Sequence, residues 1–241
     1  MILAAGKGER MKPLTDTCPK PLLQAGGKML IEHHLQKLAP AGFTDVTINH
    51  AYLGGMIEAA LQNGSRYGIH IHYSPEHLVL ETAGGIANAL PLLTDSSRTQ
   101  PFAVINADIF CNMDLSTLQP ILQQMQSNPG QALAHLILVD NPPHHPDGDF
   151  FLNSNTGKLT ESAQSASTGC RKLTFSGIGV YHPALFENVP PNQAVKLAPL
   201  LHQAIAAGKV TGSHYAGIWM DIGTPERLYQ LDNQLRYPLV P

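Results

Sequence analysis

The first residues whose types and spacing could do chemistry lie at the start of the chain, in the stretch MILAAGKGER. Gly6 and Gly8 flank Lys7, and Arg10 follows two residues later. Glycine lets a backbone turn tightly and approach a ligand closely, and successive N–H groups in such a turn form a concavity that binds anions. The stretch predicts a phosphate-binding loop, and a plain structural turn fits the same residues equally well. The loop lacks the Walker A pattern, and Met11 replaces the third glycine of a dinucleotide-binding fingerprint.

Polar residues also close two apolar runs further along the chain. Asn106-Ala107-Asp108 follows FAVI, and Asp140-Asn141 follows LILV. An unpaired carboxylate at the end of an apolar strand is costly, and open α/β sheets bind ligands beyond the carboxyl ends of their strands. These clusters and the glycine loop therefore predict a ligand site at one edge of a sheet.

The elements that must position these residues alternate between strand and helix patterns. The predicted strands cover residues 2–5, 45–49, 69–73, 102–106, 132–139 and 176–181. The predicted helices cover residues 30–39, 55–62, 84–90 (stopped by Pro91), 115–126 and 196–207, with a last helix beginning at Thr224. Residues 162–169 predict a polar loop. The alternation predicts a doubly wound α/β sheet.

Composition excludes several classes of protein. The net charge of -3 and the 14% of charged residues argue against a duplex nucleic-acid binder. Apolar runs are too short for a signal peptide or a membrane span, so we expect a cytoplasmic protein without membrane contact. Three separated cysteines predict neither disulfides nor a zinc-thiolate site. Adjacent histidines on a helix point in different directions, whereas helical zinc pairs are four residues apart. We therefore expect the pairs His33-His34 and His144-His145 to be surface or partly buried histidines and not a metal site.

The glycine loop belongs to a longer pattern. LAAGKGERM, followed by PLT and then PKPL, resembles the signature of the sugar-1-phosphate nucleotidyltransferases. Three further motifs of that family occur in order: LETAGG at 80–85, Asn106-Ala107-Asp108, and WMDIGT at 219–224. The resemblance spans essentially the whole chain. It implies the family's Rossmann-like doubly wound, mixed and mostly parallel sheet, with a small sugar-binding β-rich insertion.

The resemblance also implies one domain over residues 1–241. Residues 1–141 would be the nucleotide-binding half, and residues 142–241 would be the sugar-binding half with the second metal aspartate. The reaction implied is attack of a sugar 1-phosphate on the α-phosphorus of a nucleoside triphosphate, which releases pyrophosphate. A nucleoside triphosphate and a sugar 1-phosphate are then the small-molecule substrates.

The same resemblance implies catalytic roles for four residues. Lys20 would contact the reacting phosphates, and its flanking prolines predict an extended backbone there. Arg10 would grip the β- and γ-phosphates. Asp108 and Asp221 would bind Mg²⁺, which takes one or two carboxylates together with phosphate oxygens. A solvated surface lysine and two capping or turn aspartates remain the alternatives.

The nucleotide is expected to contact the glycine loop and two later segments. The implied residues are Leu3, Ala4, Ala5, Gly6, Lys7, Gly8, Glu76, Glu81, Thr82 and Asn106. Glu76 has a spacing from Glu81 that is similar to the base-reading residue of the family. Its carboxylate could accept the N3–H of uracil or the N1–H and N2–H of guanine, so both bases stay open.

The sugar is expected to contact the second half of the chain. The implied residues are Asp140, Asn141, Gly148, Gly177 and Lys196. Related thymidylyltransferases carry an acidic residue in place of Lys196. A lysine suits a substrate carboxylate such as the lactyl group of N-acetylmuramate, and an ordinary surface lysine fits as well.

Within the family, stretches such as INHAYLG and KLAPLLHQAIAAGKV resemble the N-acetylmuramate-1-phosphate uridylyltransferases of peptidoglycan recycling. The expected substrates are then UTP and N-acetylmuramate 1-phosphate. One alternative is a mannose- or heptose-1-phosphate guanylyltransferase, which shares every core motif. Another is a catalytically silent subunit that senses nucleotide sugars, but all four implied catalytic residues are present.

Overall fold

The computed structural model describes residues 1–161 and 169–237. The predicted 162–169 loop lies outside the described residues except for Gly169. Contacts divide the chain into two compact units. Unit 1 comprises Met1–Val79, Asn106–Ser116 and Ile218–Pro241, and unit 2 comprises Leu80–Ile105 and Thr117–Gly217.

Unit 1 contains a parallel sheet. Its strands run in the order β1 (Ile2–Leu3), β4 (Asp45–His50) and β5 (His70–Pro75), with Ile2 opposite Ile48. Two antiparallel pairs accompany this sheet: β2 (Gln24–Ala25) with β3 (Lys28–Met29), and β7 (Ile109–Cys111) with β13 (Trp219–Asp221). The helices of unit 1 are α1 (Glu32–Leu38), α2 (Gly54–Leu61) and α6 (Pro225–Arg236).

A buried cluster in unit 1 fixes the chain that follows the glycine loop. Met11 is fully buried in it, together with Leu30, Ile222 and Leu231. Full burial of a side chain of this size contributes about 2 kcal/mol. The cluster therefore anchors residues 9–11 against the segment that follows Asp221.

Unit 2 contains the mixed part of the fold. Its strands are β6 (Phe102–Asn106, whose last residue belongs to unit 1), β8 (Ala134–Val139), β9 (Phe150–Asn153), β10 (Leu159–Thr160), β11 (Cys170–Tyr181) and β12 (Val210–His214). The long strand β11 pairs antiparallel with β6, β8 and β9, whereas β12 runs parallel to β8. The helices are α3 (Glu81–Leu93), α4 (Leu118–Ser127) and α5 (Leu197–Ala206).

The predicted α/β fold with a mixed sheet is confirmed, and the differences concern individual elements. Helix α3 does not stop at Pro91 but continues to Leu93. Proline removes one backbone donor and disfavours a helix interior, yet here it stands close enough to the end of the helix to be accommodated. Thr224 caps α6 as predicted, because its side chain accepts a hydrogen bond from the Arg227 N–H. No helix among residues 1–161 and 169–237 is long and apolar enough to cross a membrane.

Candidate active site

The glycine loop is held in a defined conformation by its neighbours in unit 1. Gly8 has φ +67°, in the left-handed region, and a Cβ there would lie 2.8 Å from Thr15 Cγ2. Thr15 Oγ1 donates a hydrogen bond to the Gly8 carbonyl at 2.9 Å, and the Met11 N–H donates to the same carbonyl at 2.8 Å. Glycine is therefore required at position 8 for both conformation and space. Lys7 and Arg10 are exposed on this loop.

Lys20 lies directly beside the glycine loop. Its Cβ is 3.4 Å from the place that a Cβ on Gly8 would occupy. Lys20 opens a short 3-10 helix, Lys20–Leu22, so the prediction of an extended backbone at this residue is wrong. Hydrogen bonds from Leu22 N to Pro19 O and from Leu23 N to Lys20 O close this turn. The extended conformation belongs to Pro19, with φ −65° and ψ 140°.

Lys20 and Asp108 form a close ion pair. The Lys20 Nζ lies 2.7 Å from Asp108 Oδ2, although 88 residues separate them in the chain. The Lys20 side chain is only 9% exposed, whereas the Asp108 side chain is 43% exposed. A buried ammonium needs a partner charge, and Asp108 supplies it while keeping one face open to solvent.

The pairing of β7 with β13 brings Asp108 and Asp221 to the same end of one ladder. Asp221 stands opposite Ile109, and the Ile222 N–H donates to the Asp108 carbonyl at 2.7 Å. The backbone thus makes the two aspartates near neighbours across about a hundred residues of chain. Carboxylate oxygens are the hard ligands that Mg²⁺ prefers, so the chemistry of this donor pair fits a magnesium ion.

Arg227 was not predicted from the sequence, yet it contacts Asp221. Its Nη1 donates to Asp221 Oδ1 at 3.0 Å, and its side chain is 14% exposed. A Cβ on Gly223 would lie 2.3 Å from Arg227 Nη2 and 3.2 Å from Arg10 Nη2, so both guanidinium groups approach Gly223. The only hint in the sequence is a cation in the first turn of a capped helix, six residues after Asp221.

Glu76 is buried, and a hydrogen-bond chain connects it to the end of β1. The Ala4 N–H donates to Asn49 Oδ1 at 2.9 Å, and Asn49 Nδ2 donates to Glu76 Oε1 at 2.7 Å. The Glu76 N–H in turn donates to the His50 carbonyl at 2.8 Å. Asn49, which was not predicted either, therefore fixes the direction of the Glu76 carboxylate. Such a contact between neighbouring strands leaves no pattern in the sequence.

The outer edge of β7 is held by two side chains of α1. His34 Nε2 donates to the Ile109 carbonyl at 2.8 Å, and Lys37 Nζ donates to the Cys111 carbonyl. His34 is fully buried, and its Nδ1 has no hydrogen-bond partner among the described residues. Protonation would bury an unsatisfied N–H, and burial together with the charge of Lys37 lowers the pKa of His34 to about 4. The other histidine of the pair, His33, bonds the Ala25 carbonyl at 2.9 Å, so both side chains make contacts within unit 1.

Backbone hydrogen bonds in unit 2 place the start of α3, with Glu81 and Thr82, close to Lys196. The N–H groups of Ala83 and Gly84 donate to the Val195 carbonyl, and the Val195 N–H donates to the Leu80 carbonyl. Lys196 follows Val195 directly and is exposed at the start of α5. Glu81 has φ +58°, which is uncommon for a residue other than glycine.

The remaining predicted sugar residues lie around β8 and β11 in unit 2. Asp140 is exposed and pairs with Arg171 at 2.9 Å and with His214 at 2.7 Å. Asn141 Nδ2 donates to the carbonyls of Pro146 and Lys172, so this amide holds the loop that reaches Gly148. A Cβ on Gly148 would lie 2.5 Å from Asn141 Oδ1.

Gly177 has φ +81° and lies where the register between β11 and β8 shifts. Asn106 ends β6, and the N–H of the next residue, Ala107, donates to the Leu3 carbonyl at 3.0 Å. Unit 1 therefore contains the glycine loop, Lys20, Glu76, Asn106 and the two aspartates that the resemblance assigns to metal binding. Glu81, Thr82 and the five predicted sugar residues belong to unit 2.

Known proteins resemble this chain over nearly its full length. The chain is 49% identical over 229 residues to the N-acetylmuramate alpha-1-phosphate uridylyltransferase of Neisseria meningitidis, with 95% of this chain and 94% of that protein covered. It is 27% identical to mannose-1-phosphate guanyltransferase beta-B of Xenopus laevis, with 94% of this chain but only 61% of that protein covered. The crystal structure of HddC from Yersinia pseudotuberculosis complexed with GMP-PN superposes with a TM-score of 0.74 at 19% identity, covering 97% of each chain.

The nucleotidyl transferase family model matches residues 1–237. Together with the motifs, the fold and the 49% identity to a curated relative, this match identifies the chain as a member of the nucleotidyl transferase family.

Proposed function

We propose that this protein transfers UMP from UTP to N-acetylmuramate 1-phosphate, forming UDP-N-acetylmuramate and pyrophosphate. The observation that carries the proposal is the 49% identity, over nearly the whole of both chains, to the uridylyltransferase of Neisseria meningitidis. The name of that relative and the resemblance of the motifs support a role in peptidoglycan recycling. Such a role would place the protein in the cytoplasm.

The proposed reaction is a single in-line displacement. A phosphate oxygen of the sugar 1-phosphate forms a new P–O bond to the α-phosphorus of UTP. The bond from that phosphorus to the bridging oxygen breaks, and its electron pair leaves with pyrophosphate. The nucleophile is already an anion, so no protein base is needed. The barrier comes from repulsion between the phosphates and from charge on the transferring group, which cations and oriented N–H groups reduce.

In this proposal, the cations of unit 1 oppose that repulsion. Lys20 is fixed beside the glycine loop and would contact the reacting phosphates. Arg10 would hold the β- and γ-phosphates, with Lys7 and the loop N–H groups around Gly6 and Gly8. The burial of Lys20 supports this role, because a fixed cation needs little reorganisation when charge develops.

Asp108 and Asp221 would hold Mg²⁺ in this proposal. When bound, the ion would neutralise charge on the phosphate oxygens and act as a Lewis acid. The two ion pairs of these aspartates, with Lys20 and Arg227, hold both carboxylates in place. Arg227 is therefore proposed as a positioning residue for Asp221.

The proposed contacts with the base and the sugar use separate residues. The Glu76 carboxylate, oriented by Asn49, would accept the N3–H of uracil, and Leu3, Ala4, Ala5 and Asn106 would line the same nucleotide site. Glu81 and Thr82 are the other proposed nucleotide contacts. The proposed sugar contacts are Asp140, Asn141, Gly148, Gly177 and Lys196, with the Lys196 ammonium meeting the lactyl carboxylate.

The 27% identity to a mannose-1-phosphate guanyltransferase makes guanylyl transfer the second candidate. A pyrophosphate-release assay of UTP and GTP against N-acetylmuramate, mannose, heptose and N-acetylglucosamine 1-phosphates separates the two. We expect turnover with UTP and N-acetylmuramate 1-phosphate when Mg²⁺ is present and no turnover without Mg²⁺. Turnover with GTP and not with UTP would refute the proposal. No turnover with any pair would favour the silent nucleotide-sugar sensor.

A further inference from the structure

Three metal-ligating side chains meet at the amino-terminal end of β4 and β5, in unit 1. Asp45 begins β4 and stands opposite His70, the first residue of β5. His72 follows two residues later on the same strand. Successive strand residues point to opposite faces, so residues two apart share one face. Asp45, His70 and His72 therefore lie together on one surface of the sheet.

The donor atoms of these side chains are close to the spacing that one metal ion requires. Asp45 Oδ1 lies 3.6 Å from His72 Nε2 and 3.9 Å from His70 Nδ1. One ligand atom from each residue lies within 4.8 Å of the others. Bonds of about 2.0–2.2 Å to a tetrahedral ion put ligand atoms about 3.4 Å apart. Small side-chain rotations, which move the atoms by a few tenths of an ångström, would bring Asp45 Oδ1 to this spacing from the nitrogen of either histidine.

The carboxylate is also oriented for this task. Thr44 Oγ1 donates a hydrogen bond to Asp45 Oδ2 at 3.1 Å, which leaves Oδ1 as the oxygen that faces both imidazoles. Outer hydrogen bonds of this kind fix ligating groups in metal sites. The two imidazole rings are already packed edge to face, with centroids 4.5 Å apart.

The donor set selects the class of metal. Imidazole nitrogen suits Zn²⁺, Cu²⁺ and Ni²⁺, whereas Mg²⁺ prefers oxygen ligands. We propose that Asp45, His70 and His72 form a site for a divalent transition-metal ion, Zn²⁺ above all, with water completing the coordination. The site is separate from the proposed nucleotide site, because Asn49 lies four residues further along β4, which corresponds to about 13 Å.

A bound ion would cross-link β5, the edge strand of the parallel sheet, to β4. An edge strand has unpaired backbone groups along one side and is the easiest strand to detach. A ligand that binds only the folded state raises its stability by mass action. The expected consequence is a zinc-dependent rise in melting temperature that is independent of nucleotide and of activity.

The test is isothermal titration of chelator-treated full-length protein with Zn²⁺, without nucleotide or Mg²⁺. We expect the wild type to bind one more zinc ion, with micromolar affinity, than the His70→Ala/His72→Ala variant. Asp45→Asn should weaken the same site at least tenfold. Bound Co²⁺ should give a visible absorption band in the wild type that the double variant lacks.

His144→Ala/His145→Ala is the matched control, because it also removes two histidines, one of which, His145, lies 3.0 Å from a carboxylate oxygen of Asp149. This control should keep the zinc site and the rise in melting temperature. Equal zinc uptake by the wild type and the His70→Ala/His72→Ala variant would overturn the proposal, and so would loss of the site in the control. Asp108→Asn should keep the zinc site formed by Asp45, His70 and His72, so failure of this proposal and failure of the proposed function are distinguishable.

Discussion

The ion pair between Lys20 and Asp108 makes an asymmetric prediction about stability. Removing the carboxylate with Asp108→Asn leaves the ammonium of Lys20, which is 9% exposed, without a partner charge. An uncompensated buried charge costs about 3 kcal/mol or more. Removing the cation with Lys20→Met leaves a carboxylate that is 43% exposed, which water can solvate. That change should cost about 1 kcal/mol or less.

Urea denaturation at pH 7, without nucleotide or metal, measures both costs. We expect Asp108→Asn to lower the free energy of unfolding by at least about 2 kcal/mol more than Lys20→Met does. In the double variant neither charge remains, so its stability should return close to that of Lys20→Met. Lys28→Met is the control, since Lys28 is exposed and its ammonium donates a hydrogen bond to a neutral group, Gln36 Oε1. It should change stability by less than about 0.5 kcal/mol.

The same variants separate stability from catalysis. Loss of one fixed cation at a site of developing charge lowers kcat by about a hundred- to a thousandfold. Lys20→Met should therefore remain folded and still lose activity to that extent, while Lys28→Met keeps the activity of the wild type. Equal destabilisation by Lys20→Met and Asp108→Asn, or a kcat of Lys20→Met within about threefold of the wild type, would refute the reasoning.

Three further predictions concern other parts of the chain. Burial lowers the pKa of His34 to about 4. Below about pH 6.5 the His34 imidazole therefore becomes protonated in the unfolded chain but stays neutral in the folded chain. His34 should contribute about 3 kcal/mol to the fall in the free energy of unfolding between pH 6.5 and 4, and urea denaturation of His34→Gln should show a fall that is smaller by about that amount. Gly84→Ala would place a Cβ 2.3 Å from the Gln193 carbonyl and should cost about 1–3 kcal/mol. Gly55→Ala in α2, with nothing within 4 Å, should instead stabilise by about 0.5–1 kcal/mol in thermal melts. Lys196→Ala should raise KM for N-acetylmuramate 1-phosphate by about tenfold or more. It should leave KM for UTP unchanged, and an equal rise for both substrates would argue against a contact with the lactyl carboxylate.

The α/β fold could be predicted because its signals are local. Apolar runs of strand length alternate with helical stripes, and turn or capping residues mark their ends. The capping of α6 by Thr224 followed from such a signal. The predicted conformation was wrong at Lys20, which begins a 3-10 helix although prolines flank it. The predicted end of α3 was also wrong, because the helix continues past Pro91.

The four catalytic candidates, Arg10, Lys20, Asp108 and Asp221, could be named from the sequence because each sits in a motif. Asn49, Arg227 and His34 lie in no motif and act through contacts that the fold creates. Asn49 reaches Glu76 across two neighbouring strands, and His34 bonds a carbonyl 75 residues away. Arg227 is fixed beside Asp221 by the absence of a side chain at Gly223. Single-sequence reasoning has no access to such pairs, because their partners are defined only by packing.

The most direct test of the proposed site is the anomalous diffraction of Mn²⁺ in crystals grown with UTP. Manganese takes the oxygen ligands that magnesium takes, and its anomalous signal locates the ion independently of the protein coordinates. We predict a nucleotide-dependent peak about 2 Å from carboxylate oxygens of Asp108 and Asp221, with Lys20 Nζ contacting the triphosphate. A nucleotide-dependent peak that contacts neither aspartate, or a triphosphate bound away from the glycine loop, would contradict the account.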